Sequence, residues 1–176
     1  MTPADLEPYA AVVYDLDGTL VDLVVSWDTV AAEGRAVFTD RGHEVDGDLW
    51  QLLDEADTRG LRPELEAVIA DHERAGARES TLAPRADDLP LSVPVGVCSL
   101  NCEAACRVAL ETHGLADAVD AVVGRDSVAT RKPDPEPLLA AVDRLGASPA
   151  ETVFVGDSRR DALAAERAGV EFLAVG

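Results

Sequence analysis

The segment Asp15-Leu16-Asp17-Gly18-Thr19 places two carboxylates directly after a run of residues that is typical of a buried strand. Residues 10–14 are apolar and include two neighbouring valines, as in a parallel strand covered on both faces. Side chains alternate along an extended chain, so Asp15 and Asp17 are expected to point the same way. Two carboxylates about 4 Å apart repel by about 4 kcal/mol at an effective dielectric of 20. The pair therefore indicates either a bound cation or a carboxyl group that carries a proton.

Polar residues that suit the same chemistry lie in three later segments of the chain. Ser99 ends a predicted strand, Lys132 lies in a loop before a predicted helix, and Asp157 and Asp161 follow another predicted strand. Ligands bind at the carboxyl ends of the strands in parallel α/β sheets. We therefore expect these side chains to meet the two aspartates at one edge of a sheet.

The elements that must position these residues alternate between strand and helix from about residue 94 onward. Predicted strands at 93–99, 118–124, 152–156 and 170–176 are separated by predicted helices. This alternation predicts an α/β fold with a doubly wound parallel sheet, to which the first strand also belongs. We expect residues 1–21 and 82–176 to form this core, and residues 22–81 to form a small inserted helical cap.

Helix start and stop signals divide the insertion into three predicted helices. The first ends near Gly42, the second runs from an N-cap at Asp48 to Gly60, and the third begins around Pro63 and ends near Gly76. The stretch Ser80–Pro90 is rich in proline and polar residues and is predicted to be a linker. In the core, Asn101 is the predicted N-cap of the helix that follows Ser99.

The chain resembles the haloacid dehalogenase (HAD) superfamily at four motifs that occur here in the family's order. These motifs are the DxDGT segment, a serine at a strand end, a lysine, and a GDSxxD segment; they lie at Asp15–Thr19, Ser99, Lys132 and Gly156–Asp161. The resemblance covers the predicted core and the position of the insertion, which is similar to the family's small helical cap.

The resemblance implies a covalent mechanism of phosphoryl transfer that depends on magnesium. It makes Asp15 the nucleophile, and Asp17 the acid that protonates the leaving group and then activates water. It assigns Mg²⁺ to Asp15, to Asp17 through its backbone carbonyl, and to Asp157. Asp161 is a further candidate metal ligand, but Ser158 and Asp161 also form a capping-box pattern, so Asp161 could serve only to cap its helix.

The same resemblance assigns the substrate's phosphate group to three segments. Ser99 and the backbone amide of Leu100 lie before a helix N-terminus, which attracts anions. Lys132 would supply a positive charge to the phosphate and to the nucleophile. Gly18 would let the backbone approach the substrate closely. Lys132 is also the only lysine among the 15 basic residues of the chain, which favours a functional role.

Within the superfamily, the sequence favours a phosphatase of the phosphoglycolate phosphatase type, acting on a small phosphomonoester. Dehalogenases lack the second aspartate, which is present here as Asp17. A phosphomutase on the same core and a non-catalytic interaction module remain as alternatives. Arg59 and Arg62 in the insertion could bind a substrate carboxylate or could balance nearby acidic residues.

The charge of the chain limits the partners that it can have. It contains 34 acidic and 15 basic residues, a formal net charge of −19, which disfavours nucleic acids and anionic membranes. The sequence has no candidate membrane span or signal peptide, so we expect a cytoplasmic protein. Acidic residues spread along a chain that is 47% hydrophobic indicate a folded protein adapted to high salt.

Overall fold

The computed structural model describes Leu6 and residues 8–175. Five parallel strands form the central sheet in the order β5-β4-β1-β6-β7, and two further strands form a short antiparallel pair. The strands are β1 (Ala11–Tyr14), β2 (Val21–Asp22), β3 (Thr81–Leu82), β4 (Val95–Cys98), β5 (Ala121–Val123), β6 (Thr152–Gly156) and β7 (Glu171–Ala174). The sheet confirms the prediction of an α/β fold with a parallel core.

Both faces of the central strand β1 are buried, as its apolar sequence predicts. Val12 and Tyr14 pack into one hydrophobic cluster with residues of β4, β6 and the helix after β4. Val13 packs into a second cluster with the two helices that flank β6. Because neighbouring residues of a strand face opposite sides, the sheet is covered by helices on both faces and is doubly wound.

Within the described residues, six α-helices accompany the strands, and three of them lie between β2 and β3. The helices are α1 (Trp27–Thr39), α2 (Leu49–Arg59), α3 (Arg62–Arg78), α4 (Glu103–Thr112), α5 (Glu136–Arg144) and α6 (Arg159–Ala168). Helices α1–α3 have a hydrophobic cluster of their own, which includes Phe38, Leu52 and Leu65. We keep the name cap for the proposed unit of residues 22–81.

The second cap helix begins and ends where the sequence predicts. Asp48 accepts hydrogen bonds from the amides of Trp50 and Gln51, and the Gln51 side chain accepts one from the Asp48 amide. Gly60 ends the helix in the left-handed conformation, with φ of 71°.

Helix α3 ends at Arg78, two residues beyond Gly76, near which its end is predicted. Gly76 serves a close contact, since a Cβ atom there would lie 2.6 Å from the Val24 carbonyl oxygen. One local prediction in this region is wrong. The predicted linker Ser80–Pro90 contains strand β3, which pairs with β2 in a register that joins Val21 to Leu82. A strand of two residues is too short to show an alternating pattern. Its pairing also depends on β2, which lies far away in the chain.

The predicted N-cap of the helix after Ser99 is also wrong. Helix α4 begins at Glu103, and Cys102 occupies the N-cap position. Asn101 instead donates two hydrogen bonds to the Ser99 side chain, from its backbone and its side-chain amide. Asparagine favours both turns and caps, so its type alone did not distinguish the two uses.

In the part of the chain that the structure describes, no helix combines the length and apolar character needed to cross a membrane.

Candidate active site

A cleft of about 710 Å³ lies between the carboxyl ends of the central strands and the cap. Asp15, Asp17, Ser99 and Asp157 line it from the core side. Arg35 and other residues of α1 and α2 line it from the cap side. The structure thus brings the predicted site residues of three separate core segments to one opening.

Asp15 directly follows β1 and is nearly buried. Its Oδ1 atom accepts a hydrogen bond of 2.9 Å from Lys132 Nζ. Burial raises the pKa of Asp15 to about 6, although the charge of Lys132 counteracts this effect. A carboxylate at this position is therefore poorly solvated and has a cation against one oxygen, which suits a nucleophile.

Lys132 lies behind Asp15 and joins three core segments. Its ammonium group donates to Asp15 Oδ1 and to the Cys98 carbonyl oxygen, each at 2.9 Å, and forms an ion pair of 2.5 Å with Asp161 Oδ1. Burial alone would lower the pKa of Lys132, but the charge of Asp15 and Asp161 outweighs burial and raises it. Hydrogen bonds to Asp15 and to the Cys98 carbonyl use two of the three ammonium donors, whereas Asp161 Oδ1 accepts no hydrogen bond among the described residues and pairs with Lys132 through charge. The geometry places Lys132 against Asp15, the predicted nucleophile; its direct contact with phosphate stays a prediction.

Three carboxylates converge beside this lysine. Asp15, Asp157 and Asp161 each offer an oxygen, and these oxygens lie within 4.8 Å of one another. A Cβ atom on Gly18, whose φ is +78°, would lie 2.3 Å from Asp157 Oδ2. The glycine is thus required for the close approach of Asp157. The donor set of carboxylate oxygens fits a hard divalent cation such as Mg²⁺.

Asp161 caps its helix and also lies in the carboxylate cluster. Its Oδ2 atom accepts hydrogen bonds from the Ser158 amide and hydroxyl, which completes the capping box of α6. Its Oδ1 atom pairs with Lys132 and lies in the carboxylate cluster. Capping the helix therefore does not remove Asp161 from the site, and its contact with a metal stays a prediction.

Asp17 lies in the cleft but outside the carboxylate cluster. Its Oδ1 atom accepts a hydrogen bond of 2.8 Å from the amide of Leu23, one residue beyond β2. Burial raises the pKa of Asp17, although the Leu23 hydrogen bond counteracts it. A raised pKa and a fixed orientation are properties of a carboxyl group that donates a proton. Its separation from the other carboxylates agrees with a backbone, rather than side-chain, metal contact.

Ser99 and Leu100 form the start of a tight loop between β4 and α4. The Ser99 hydroxyl oxygen accepts from Asn101 N at 3.1 Å and from Asn101 Nδ2 at 3.2 Å, so its own hydrogen is left to donate. Among the described residues, the Leu100 amide donates to no protein acceptor. The Ser99 hydroxyl and the Leu100 amide are therefore two donors at the cleft that can bind an anion, as a phosphate site requires.

The sequence did not reveal a second buried cation near this loop. Arg125, which follows β5, is bonded to Glu66 and Glu73 of the cap helix α3 and to the Leu100 carbonyl oxygen. Glu73 and Arg125 line the cleft. No motif marks Arg125, and its two acidic partners lie 52 and 59 residues earlier. Its position after a strand at the ligand-binding edge was the only available signal.

The two cap arginines considered from sequence are paired with acidic residues. Arg59 bonds Glu55 one turn earlier in α2, and Arg62 forms ion pairs with Asp57 and Glu66. By contrast, Arg35 lines the cleft, donates to the Gly47 carbonyl oxygen at 3.1 Å, and has no acidic partner among the described residues.

Known proteins resemble the chain in both sequence and fold. A family model described as "Haloacid dehalogenase-like hydrolase" matches residues 90–175. A phosphoglycolate phosphatase of Rhodospirillum rubrum is 32% identical over 91% of this chain and 76% of its own length. One from Chromobacterium violaceum is 32% identical over 98% of this chain and 87% of its own.

A solved structure extends the likeness to the whole fold. A HAD-superfamily hydrolase of subfamily IA, variant 1, from Geobacter sulfurreducens has a TM-score of 0.61 and is 27% identical. The match covers 95% of this chain and 87% of that one. Together with the sheet, the four motifs and the carboxylate cluster, these likenesses show that the chain belongs to the haloacid dehalogenase-like hydrolases.

Proposed function

We propose that the protein is a magnesium-dependent phosphatase that hydrolyses a small phosphomonoester through a phosphorylated Asp15. The observation that carries this proposal is the meeting of Asp15, Lys132 and two further carboxylates beside a loop with free donors. Its relatives named phosphoglycolate phosphatase support the same reaction class.

In the first step, an Asp15 carboxylate oxygen attacks phosphorus and the bond to the ester oxygen breaks. Asp17 gives its proton to that oxygen, so the alcohol leaves neutral. In the second step, Asp17 takes a proton from water, whose oxygen attacks phosphorus and releases Asp15. The products are the alcohol and inorganic phosphate, and both aspartates return to their starting states.

Lys132 supports the first step through its contact with Asp15. It keeps one oxygen of the nucleophile hydrogen-bonded and offsets the negative charge that gathers when a phosphate dianion approaches a carboxylate. The Ser99 hydroxyl and the Leu100 amide would bind oxygens of the transferred phosphoryl group. All of these groups are fixed by the protein before substrate binds, which reduces the cost of orientation.

Asp15, Asp157 and the Asp17 carbonyl would hold Mg²⁺, with Asp161 as a further candidate. When bound, the ion neutralises charge on the phosphoryl oxygens and on the carboxylates around it. The like charges of the carboxylate cluster support a requirement for Mg²⁺. Burial and the charge of Asp161 both raise the pKa of Asp157, and a bound cation would offset this repulsion.

For the substrate, we propose a phosphomonoester with a second anionic group, as in phosphoglycolate. Arg35 is a half-buried cation on the cap side of the cleft without an acidic partner among the described residues, whereas Arg59 and Arg62 are neutralised. A cytoplasmic location and the exclusion of nucleic acids and membranes stay predictions from sequence.

A panel of phosphomonoesters tests the proposal. The purified protein is assayed in molar KCl with MgCl₂ and with EDTA, against phosphoglycolate, sugar phosphates, nucleotides and p-nitrophenyl phosphate. We expect release of inorganic phosphate only with magnesium, and preference for small anionic esters. Isomerisation of a sugar phosphate that needs a bisphosphate would indicate a phosphomutase. An absence of any turnover by folded protein would favour an interaction module.

A further inference from the structure

A buried ionic cluster connects the cap to the loop that precedes α4. Arg125 is at its centre and is almost completely buried. Its Nη1 atom donates to Glu73 at 2.6 Å, and its Nε and Nη2 atoms donate to Glu66 at 2.8 to 3.1 Å. The guanidinium group therefore binds two carboxylates of α3 at once, in the fork geometry that arginine favours.

The same guanidinium group reaches the candidate phosphate loop. Nη1 also donates to the Leu100 carbonyl oxygen at 2.7 Å. The backbone amide of Arg125 donates to the Asn101 carbonyl oxygen at 2.9 Å, and Glu73 accepts from the Cys102 amide at 2.9 Å. Three consecutive residues of the loop are thus tied to this pair by backbone hydrogen bonds.

The contact with Leu100 has a consequence for Ser99. The Leu100 carbonyl and the Asn101 amide belong to one planar peptide group, so they point in opposite directions. Because Arg125 binds the carbonyl, the amide is aimed at the Ser99 hydroxyl oxygen, which accepts it at 3.1 Å. Because its oxygen already accepts from Asn101, the hydroxyl keeps its hydrogen for a bond to an acceptor outside the loop.

We propose that Arg125, held by Glu73 and Glu66 of the cap, is a positioning residue that orients the Ser99 hydroxyl for the substrate's phosphate. It acts through the Leu100–Asn101 peptide and touches neither the nucleophile nor the reacting atoms. This inference rests on the proposed function, since it takes Ser99 as a phosphate ligand. Under this proposal the cap helps to hold the phosphate site in place, and it also helps to select the substrate.

The energetics favour a specific role over simple attachment of the cap. A buried ion pair gives little net stability compared with apolar residues of the same size, because both ions lose their hydration. Helix α3 also packs on α4 independently of these charges, since Ala70 and Ala77 contact the same hydrophobic cluster as Ala105 and Ala109. What the arginine adds is a fixed direction for a backbone carbonyl.

The test is a double-mutant cycle with inorganic phosphate as the probe. The wild type, Ser99→Ala, Arg125→Lys and the double variant are compared in molar KCl with MgCl₂, after thermal melts establish folding. Lysine keeps the charge at residue 125 but cannot bind two carboxylates and a carbonyl together. Arg41→Gln is the control, since it removes an exposed ion pair with Glu64 within the cap.

We expect Arg125→Lys to weaken phosphate binding about tenfold in the wild-type background and less than about twofold in the Ser99→Ala background. The hydroxyl through which Arg125 acts is then already missing, so the two changes are not additive. Arg41→Gln should bind phosphate like the wild type. Equal weakening by Arg125→Lys in both backgrounds, or no weakening, would overturn the proposal.

Two further outcomes are distinguishable. If Ser99→Ala alone binds phosphate normally, the phosphate role of Ser99 in the proposed function fails, whatever Arg125 does. If Arg125→Lys does not fold, Glu73→Gln replaces it in the cycle. This variant keeps Arg125 but weakens the ion pair that holds Arg125 in position. We then expect a smaller loss of about threefold that again disappears without Ser99, and additive losses would reject the inference.

Discussion

Lys132 and Arg125 are both buried, but they connect different parts of the protein. Among the described residues, they are the only lysine or arginine side chains in the buried interior, 2% and 3% exposed. Lys132 binds groups of the core alone: Asp15, Asp161 and the Cys98 carbonyl. Arg125 binds the cap helix α3 on one side and the loop of Ser99 on the other. In the proposed function the first cation takes part in the chemistry, whereas the second positions a loop of the site.

Removing each positive charge should affect stability differently. Arg125→Gln leaves the buried Glu73 without a cationic partner and leaves Glu66 with Arg62 alone, and we expect it to cost about 3–5 kcal/mol of unfolding free energy. Lys132→Gln also leaves two carboxylates unpaired, but these lie in the proposed metal site. Addition of MgCl₂ should therefore restore stability to Lys132→Gln and not to Arg125→Gln, because ligands stabilise the state that they bind.

Chemical denaturation with and without magnesium measures this difference. Equal recovery of both variants would mean that the ion does not bind among the carboxylates beside Lys132. No recovery of either would have the same meaning.

Substitutions of the two cations should also separate in their kinetics, with Arg125→Lys used in place of Arg125→Gln. Lys132→Gln removes the charge against the nucleophile, and we expect kcat to fall about 10²–10³-fold, as for the loss of one electrostatic contact to the transition state. Arg125→Lys should act mainly on KM and phosphate binding. Steady-state assays on p-nitrophenyl phosphate compare them, and matching losses of kcat would remove the distinction between the two cations.

A third cation, Arg35, should act only on certain substrates. It lines the cleft from the cap, and Arg35→Gln should raise KM for phosphoglycolate about tenfold while leaving p-nitrophenyl phosphate nearly unchanged. Arg59→Gln is the matched control, because Arg59 is bonded to Glu55. Equal effects on both esters would show that Arg35 supports the fold of the cap and does not bind a second anionic group.

The smallest effect should come from exposed ion pairs. Arg41→Gln removes a surface pair with Glu64, and we expect a loss of unfolding free energy below about 1 kcal/mol that disappears in molar KCl.

The melting temperature of the wild type should rise with KCl, because salt screens the repulsion of a chain with net charge −19. A flat or falling melting temperature from low to molar KCl would contradict the high-salt interpretation.

The sequence predicted the groups that lie in short motifs at strand ends. The parallel sheet and the meeting of Asp15, Ser99, Lys132 and Asp157 followed from strands whose carboxyl ends share an edge. For Asp161, the sequence left open whether the residue only caps helix α6 or also lies in the site. In the structure one carboxylate oxygen caps α6 and the other pairs with Lys132.

What the sequence could not predict depends on pairs that are distant in the chain. Strand β3 exists because of β2, and Arg125 is buried because α3 supplies two carboxylates. In a chain with 34 acidic residues, no local pattern distinguishes Glu73 from the exposed acids. Such contacts are set by the packing of the cap on the core, which periodicity within one segment does not describe.

The most direct test of the central claim is to trap the phosphorylated aspartate. In Asp17→Asn, p-nitrophenyl phosphate should still phosphorylate Asp15, because this leaving group needs little protonation, whereas the second step lacks its base. Mass spectrometry after an acid quench should then find phosphate on the peptide with Asp15, and none in Asp15→Asn. Turnover by Asp15→Asn, or phosphate on any other residue, would contradict the account.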